Sequence, residues 1–376
     1  MSNENGMRIL ITGGCGFIGS NLAAHYLAKG WEVVTFDNYS RHGAKKNAVW
    51  LEKQAIAHRQ DRGNGYLRQI RGDVRDLESL REAMRETDVV AHLAAQVAVT
   101  TSVEDPLEDF LVNALGGMNV LEAARTCGSD PIVLYASTNK VYGGMEHLEV
   151  GNATLRYHLP EFPQGIGEDF PIDLHSPYGC SKGACDLYMI DHARIYGLRT
   201  VVFRQSCIYG PRQFGIEDQG WVAHFVISAV LGRPITIYGD GRQVRDVLHI
   251  KDLVHAFDRA IERIDVCAGQ AYNLGGGPQN ATSLLELIYR LEPILDRAIP
   301  LTFGDWRPGD QWVYVSDIRK AERDLGWVPQ MSIGQGLKDL CQWVQANREL
   351  FDVRGDTDAR REVEQVRAPV IRMGMK

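Results

Sequence analysis

Along the chain, short apolar runs alternate with stretches whose apolar residues recur every three or four positions. Arg8-Ile-Leu-Ile-Thr12 is an apolar, β-branched run. A glycine-rich turn follows, and Asn21-Leu-Ala-Ala-His-Tyr-Leu-Ala-Lys29 has helical spacing closed by Gly30. Trp31–Phe36 is the next strand pattern. The beat then repeats as Tyr66–Ile70 strand, Leu77–Arg85 helix, Asp88–Leu93 strand, Asn113–Thr126 helix, Ile132–Ala136 strand, Ser181–Tyr196 helix and Thr200–Phe203 strand. Strands alternating with helices in this way predict an α/β fold with a parallel, doubly wound sheet covered on both faces.

Three stretches depart from the beat. His42–Gly65 is polar and basic and reads as a helix plus a loop. Gly143–Ser176 is rich in glycine and proline and has no period; at that length it is expected to be a functional lid or a disordered stretch. Beyond about Leu350 the chain is dense in charge and reads as a peripheral tail.

Composition narrows the function. The 376 residues carry 41 basic and 48 acidic side chains, a net of −7, which argues against a non-specific nucleic-acid binder. The polar, acidic start has no secretory pattern, and the longest apolar stretch, around Trp221–Leu231, is too short to span a bilayer. The seven cysteines form no CxxC pair and no zinc spacing, so reduced thiols, a cytoplasmic protein and no metal site are expected. The 38 glycines are about one residue in ten, above the usual ~7%. That excess belongs where the backbone turns sharply or admits a ligand.

Its first concentration is Thr12-Gly-Gly-Cys-Gly-Phe-Ile-Gly19, between a strand and a helix. Gly13 is expected to make the tight turn, Gly16 to let the backbone approach a pyrophosphate, and Gly19 to let the helix pack on the strand. The helix start supplies N–H groups and a positive dipole end to the phosphates. Asp37 closes the second strand, 18 residues after Gly19, where an acid bonds a ribose 2′-hydroxyl. A phosphate there would meet its charge, so NAD is expected rather than NADP; Arg41, Lys45 and Lys46 nearby soften that exclusion. Asp73, after the third strand, is placed to accept from the adenine amino group.

Tyr178 and Lys182 stand four apart, on one face of a helix. A free tyrosine titrates near 10 and is a poor base. A neighbouring ammonium and a cationic nicotinamide ring would both favour its phenolate. The pair means little alone, but behind a glycine-rich strand–turn–helix it is a strong signal.

With these stretches stand Gly72-Asp-Val74, His92-Leu-Ala-Ala95, Ser137-Thr-Asn-Lys-Val-Tyr-Gly143, Tyr209-Gly-Pro-Arg212, Tyr238-Gly-Asp-Gly-Arg-Gln-Val-Arg-Asp246, Asn273-Leu-Gly-Gly276 and Arg307-Pro-Gly-Asp310. Together they resemble the extended short-chain dehydrogenase/reductases that act on nucleotide sugars, over nearly the whole chain to about Trp343. The resemblance implies a Rossmann-type NAD-binding domain over 7–203, also receiving part of 246–275. It further implies a smaller α/β lobe for the nucleotide sugar over 204–345, and leaves a charged tail over 346–376. It adds Phe17, Ile18, Asn38, Val74 and Ala94 to the cofactor residues and makes Thr138 the hydroxyl that bonds the reacting oxygen, beside Tyr178 and Lys182.

In the related 4,6-dehydratases two acidic residues follow that threonine; here Asn139 and Lys140 do. That disfavours dehydration and leaves oxidation followed by re-reduction on the opposite face, an epimerisation. Phe36-Asp-Asn-Tyr-Ser-Arg41, Gln96–Ser102, Leu174–Gly183 and Asp218-Gln-Gly-Trp221 resemble the subgroup that inverts C2 of a CDP-linked dideoxyhexose. A CDP-hexose is therefore the favoured substrate; a C4 epimerase of a UDP- or other NDP-hexose and a non-catalytic NAD-binding protein are the alternatives. Arg212, Arg245 and Arg307 are expected on the substrate's phosphates, since a guanidinium pairs bidentately with phosphate. Gln96, Thr100, Asn139, Gln205, Gln219 and Trp221 are expected around the sugar and base. The resemblance also implies a homodimer or homotetramer, through the Asn113–Thr126 and Tyr178–Tyr196 helices. His92 and His249 have no carboxylate or serine partner in the motif pattern and read as structural.

Overall fold

A computed structural model describes residues 6–62, 66–307 and 311–351. The tail from 352 and the Pro308-Gly-Asp310 motif lie outside these residues. β1 (Arg8–Thr12), β2 (Glu32–Asp37), β3 (Leu67–Arg71), β4 (Val89–His92) and β5 (Ile132–Thr138) succeed one another with helices between. A short antiparallel ribbon, β6 (Gly151–Asn152) with β7 (Tyr157–His158), interrupts them before β8 (Arg199–Gln205). The chain then leaves as β9 (Cys207–Tyr209), β10 (Ile235–Tyr238) and β11 (Val244–His249), and returns as β12 (Gln270–Leu274). One parallel seven-stranded sheet results, in the order β12-β8-β5-β4-β1-β2-β3. β13 (Ala281–Ser283) and β15 (Val313–Tyr314) flank β11, β9 pairs with β11 as well, and β14 (Leu301–Gly304) pairs with β10.

The large sheet is buried on both faces, which is why its strands read as continuous apolar runs. Successive β1 side chains point to opposite sides. Ile9 and Ile11 join Leu22, Leu27 and Phe257; Leu10 joins Val120, Leu121 and Met189. The covering helices are α1 (Phe17–Ala28), α2 (Ala44–Arg62), α3 (Leu77–Ala83), α4 (Val99–Glu104), α5 (Pro106–Phe110), α6 (Gly116–Thr126) and α7 (Ser176–Tyr196). A second core gathers Phe225 and Val226 of α8 (Trp221–Leu231) with Leu287, Leu291, Leu337 and Leu340. α9 (Ile250–Glu262) leads the chain back to the large sheet.

Three expectations need correction. The helix expected from Ser181 begins at Ser176, because Pro177 is tolerated in a first turn and does not delay it. The helix expected over Asn113–Thr126 is α6 preceded by a π-helical turn, Leu111–Leu115. The Gly143–Ser176 stretch, expected to be a lid or disordered, is ordered by contacts with distant parts of the chain. Ile166 N donates to Val315 O at 2.8 Å, Tyr157 N donates to Arg242 O at 3.0 Å, and Arg156 Nε donates to Glu286 Oε1 at 2.6 Å. Tyr142, Tyr157, Leu159, Ile166 and Tyr314 close a buried cluster over it. Long-range pairings order a segment that has no local period.

Candidate active site

A cavity of about 550 Å³ opens at the carboxyl ends of the central strands, where open α/β sheets collect ligands. Gly13, Asp37, Ala94, Thr138 and Gln205 border it from β1, β2, β4, β5 and β8 in turn. The glycine turn forms its floor. Gly13 has φ +66°, its N–H donates to Phe36 O at 2.8 Å, and a Cβ there would lie 2.8 Å from Ala94 N. A Cβ on Gly19 would collide with Gly13 O. α1 starts from Gly16 with no side-chain cap, and Gly16, Phe17, Ile18 and Gly19 border the cavity. Its first N–H groups therefore open onto a site suited to an anion.

Asp37 closes the far side of the turn. Oδ2 accepts from Cys15 N at 2.9 Å and Oδ1 from Tyr39 N at 2.7 Å. Burial raises its carboxyl from the usual value, and these N–H groups pull it back. Asn38, Asp73 and Val74 also border the cavity. Asp73 is gripped by Arg75, with Nε and Nη2 each donating at 2.8 Å, and by Asn38 Nδ2 at 3.0 Å, which pulls its pKa down to about 2. A floor without Cβ atoms, an uncapped helix start and a carboxylate at the end of β2 fit a dinucleotide.

Thr138 ends β5, and the first turns of α7 bring Tyr178 and Lys182 to the same wall; all three are buried. Thr138 Oγ1 accepts from Lys140 N at 3.2 Å and lies 3.4 Å from Asn139 Oδ1, and it is near enough to the Tyr178 phenol to act on its pKa. Lys182 Nζ donates to Ala136 O at 2.6 Å and lies 4.3 Å from the centre of the Tyr135 ring. The lowering of the phenol was expected from Lys182 and the nicotinamide ring together; of the side chains alone, burial acts most strongly on it. Burial pushes Tyr178 up to about 12, with the nearby Thr138 hydroxyl and the Arg41 guanidinium opposing. Burial likewise pulls Lys182 down to about 8. The ammonium is aimed at a carbonyl and a ring face, while the Arg41 guanidinium is near enough to oppose the rise of Tyr178.

Behind this wall the supports are polar and buried. Ser137 Oγ donates to Asp186 Oδ2 at 2.6 Å, and Arg204 reaches both oxygens of Asp186 at 3.1 and 2.9 Å. The π-turn presents Asn113, whose Oδ1 accepts from Gln96 N at 3.0 Å while Nδ2 donates to Gln96 O and Asp109 at 3.1 Å each. His92 Nδ1 lies 2.8 Å from the Thr12 hydroxyl, and burial pulls its pKa down to about 3. His249 caps α9 and has a carboxylate neighbour that sequence spacing did not reveal, Asp339, at 3.2 Å.

Gln96 borders the cavity after β4, and Gln205, Arg212, Gln219 and Trp221 form part of the opposite wall, with Cys207 and Phe214. Trp221 Nε1 donates to Cys207 Sγ at 3.3 Å. Arg212 borders the cavity, yet its charge is engaged elsewhere. Nε donates to Asn47 Oδ1 at 2.9 Å, Nη2 to Lys46 O at 3.1 Å, and the guanidinium packs 4.6 Å from the Trp50 ring and 5.7 Å from Trp343. Four expected residues do not border the cavity. Thr100 is exposed on α4. Asn139 opens a 3₁₀ turn beyond Thr138. Arg245 donates to Val244 O at 2.8 Å inside β11, and Arg307 is drawn to Asp218 at 3.2 Å and to the Tyr238 ring at 4.1 Å. Conversely, His42 and Phe214 line the cavity without having been expected on a ligand, and Arg41, expected only as a cation near the cofactor's ribose, lines it too. A cation four residues beyond Asp37 was the available signal for Arg41.

Residues 10–340 match the family described as GDP-mannose 4,6 dehydratase. The chain belongs to that family. The dehydratase family's name covers more than dehydration among this chain's relatives. The Salmonella typhi protein named CDP-paratose 2-epimerase is 42% identical over 347 residues, 90% of this chain and 100% of that one. The Mycolicibacterium smegmatis UDP-glucose 4-epimerase is 32% identical, covering 90% of this chain and 98% of its own. Among solved structures, the Thermus thermophilus UDP-glucose 4-epimerase in complex with NAD superposes with a TM-score of 0.73 at 31% identity, over 91% of this chain and 100% of that one. A Streptomyces venezuelae dTDP-glucose 4,6-dehydratase with NAD bound gives 0.75 at 28% identity, over 91% and 98%. Epimerases and dehydratases thus share this frame. Among the described residues no helix is long and apolar enough to cross a membrane.

Proposed function

We propose that the protein is an NAD-dependent epimerase that inverts C2 of a CDP-linked hexose through a 2-keto sugar. The observation that carries this reading is one cavity joining the glycine turn and Asp37 to Thr138, Tyr178 and Lys182, with no carboxylate following Thr138. The 42% identity to a CDP-paratose 2-epimerase supports the choice of carbon and base. NAD, when bound, supplies the acceptor and donor of hydride. Gly13, Gly16, Phe17, Ile18 and Gly19 hold its phosphates, Asp37 and Asn38 its ribose, and Asp73, Val74 and Ala94 line its adenosine and nicotinamide path. Thr138 holds the reacting oxygen. Tyr178 removes the hydroxyl proton at that oxygen and later returns it, and Lys182 keeps the end of β5 and the tyrosine in register. Gln96, Gln205, Gln219 and Trp221 shape the space in which the keto sugar turns. The related dehydratases use a pair of carboxylates after this threonine, one as acid for the leaving hydroxyl and one as base, and Asn139 and Lys140 supply neither carboxylate.

The test is incubation with CDP-paratose in deuterated water, with C2 read by NMR. Inversion without deuterium at C2 is expected, because that hydrogen travels as hydride. No inversion with any CDP-hexose overturns the reading. The 4-epimerase relative favours a second reading, inversion of C4 in a UDP-hexose; comparing turnover of CDP- and UDP-hexoses separates them. The 7–203 and 204–345 division describes the cofactor and sugar lobes in this reading. A homodimer or homotetramer is supported by apolar side chains exposed side by side on α4–α5 and α7, namely Val103, Leu107 and Phe110 with Leu187, Tyr188 and Ile195.

A further inference from the structure

The proposed ligands carry two diphosphates, and the cavity's expected cations do not reach them freely. Arg212 is held by Asn47, Lys46 O and two tryptophans, while Arg245 and Arg307 lie outside the lining. Arg41 does line the cavity. It stands in the loop after β2, fixed at one end by Tyr39 (φ +59°) bonded to Asp37 and at the other by Gly43 (φ +83°) pressed against Phe214. From there its guanidinium reaches the 205–221 side of the lining, where Nη2 donates to Gln219 Oε1 at 2.7 Å. That bond uses one of five donors and joins a cation to a neutral amide, a weaker pairing than guanidinium with phosphate. Arg41 is also close enough to Tyr178 for its charge to act on the phenol.

We propose that Arg41 is a diphosphate-binding residue, whose guanidinium leaves Gln219 to take a diphosphate lying between the glycine turn and the 205–221 wall. The inference rests on the proposed function for the presence of that diphosphate, which belongs either to the cofactor or to the sugar nucleotide.

The test compares wild type with Arg41→Met, which keeps the stem and removes the donors. NAD per protomer is measured by mass spectrometry of the denatured holoenzyme, and CDP and UDP affinities by calorimetry on the NAD-loaded protein. A fall in retained NAD assigns Arg41 to the cofactor's diphosphate. A loss of nucleotide affinity of about ten-fold or more, with NAD unchanged, assigns it to the substrate's. In either case binding of the affected ligand should also depend less on salt in the variant. Retained NAD unchanged and nucleotide affinities within about two-fold of wild type overturn the proposal. Because Arg41 is exposed on a loop, the melting temperature should not move, which separates lost binding from lost folding. The wild-type preference for CDP over UDP tests the proposed substrate on its own, since Arg41 would serve either base.

Discussion

The two walls of the cavity differ in how their polar groups are held. On the large-sheet wall each one sits at a strand end or a helix start: Gly13 after β1, Asp37 at the end of β2, Thr138 at the end of β5, and Tyr178 and Lys182 in the first turns of α7. Sheet register fixes their positions, and short contacts within the same wall hold them. On the 205–221 wall, between the end of β9 and the start of α8, Arg212, Asp218 and Gln219 hang from a loop. Arg212 is tied to α2 and to Trp343, Gln219 to Arg41, and Asp218 to Arg307. The first wall is stiff where chemistry needs a fixed distance. The second is laced by exchangeable bonds, which suits a space in which a sugar must turn.

If that contrast is right, changes on the stiff wall should cost most. Tyr178→Phe should lower turnover by about 10³-fold or more while retained NAD, measured after denaturation, stays at the wild-type level. Next comes the support behind the wall. Asp186→Ala leaves the Arg204 guanidinium buried without its carboxylate and should lower unfolding stability in urea by about 3–5 kcal/mol. The third effect is a pH dependence. His92 is held neutral, with its folded pKa lowered to about 3 from 6.5, so the unfolded chain binds more protons between those values. Stability is then fully present above pH 6.5 and is lost as the pH falls toward 3. On the order of 2 kcal/mol should go between pH 7 and 5, and His92→Gln should flatten that slope in chemical denaturation. The smallest effect belongs to the loop wall. Arg307→Gln removes a partly exposed pair and should change kcat/KM by less than about five-fold. A loss near that of Tyr178→Phe would erase the distinction between the walls.

The stiff wall was also the legible one. Gly13, Asp37, Thr138, Tyr178 and Lys182 are set by where a strand stops or a helix starts, and such stops are written locally in glycine, proline and apolar spacing. Even the misjudged start of α7 moved no functional residue, because four positions along a helix face remain neighbours. The arginines were illegible for the opposite reason. A guanidinium on a long stem takes whichever partner the fold brings near, and Trp50, Trp343 and Asp218 are decided by distant sequence. The same holds for residues 143–176, whose glycine and proline content read as freedom while Val315 and Arg242 supplied the missing backbone partners.

The path of the chain through the two sheets has a consequence for how such a protein changes over time. β8 belongs to the large sheet, β9 and β11 to the smaller one, β12 to the large sheet again, and β13 to the smaller. No single contiguous segment contains the sugar side alone. Exchange of a gene fragment long enough to carry the whole sugar side would carry strands of both sheets and break pairings in each. A new sugar preference is therefore reached by single substitutions in a frame that stays whole, and the loop wall is where those substitutions are cheapest to tolerate.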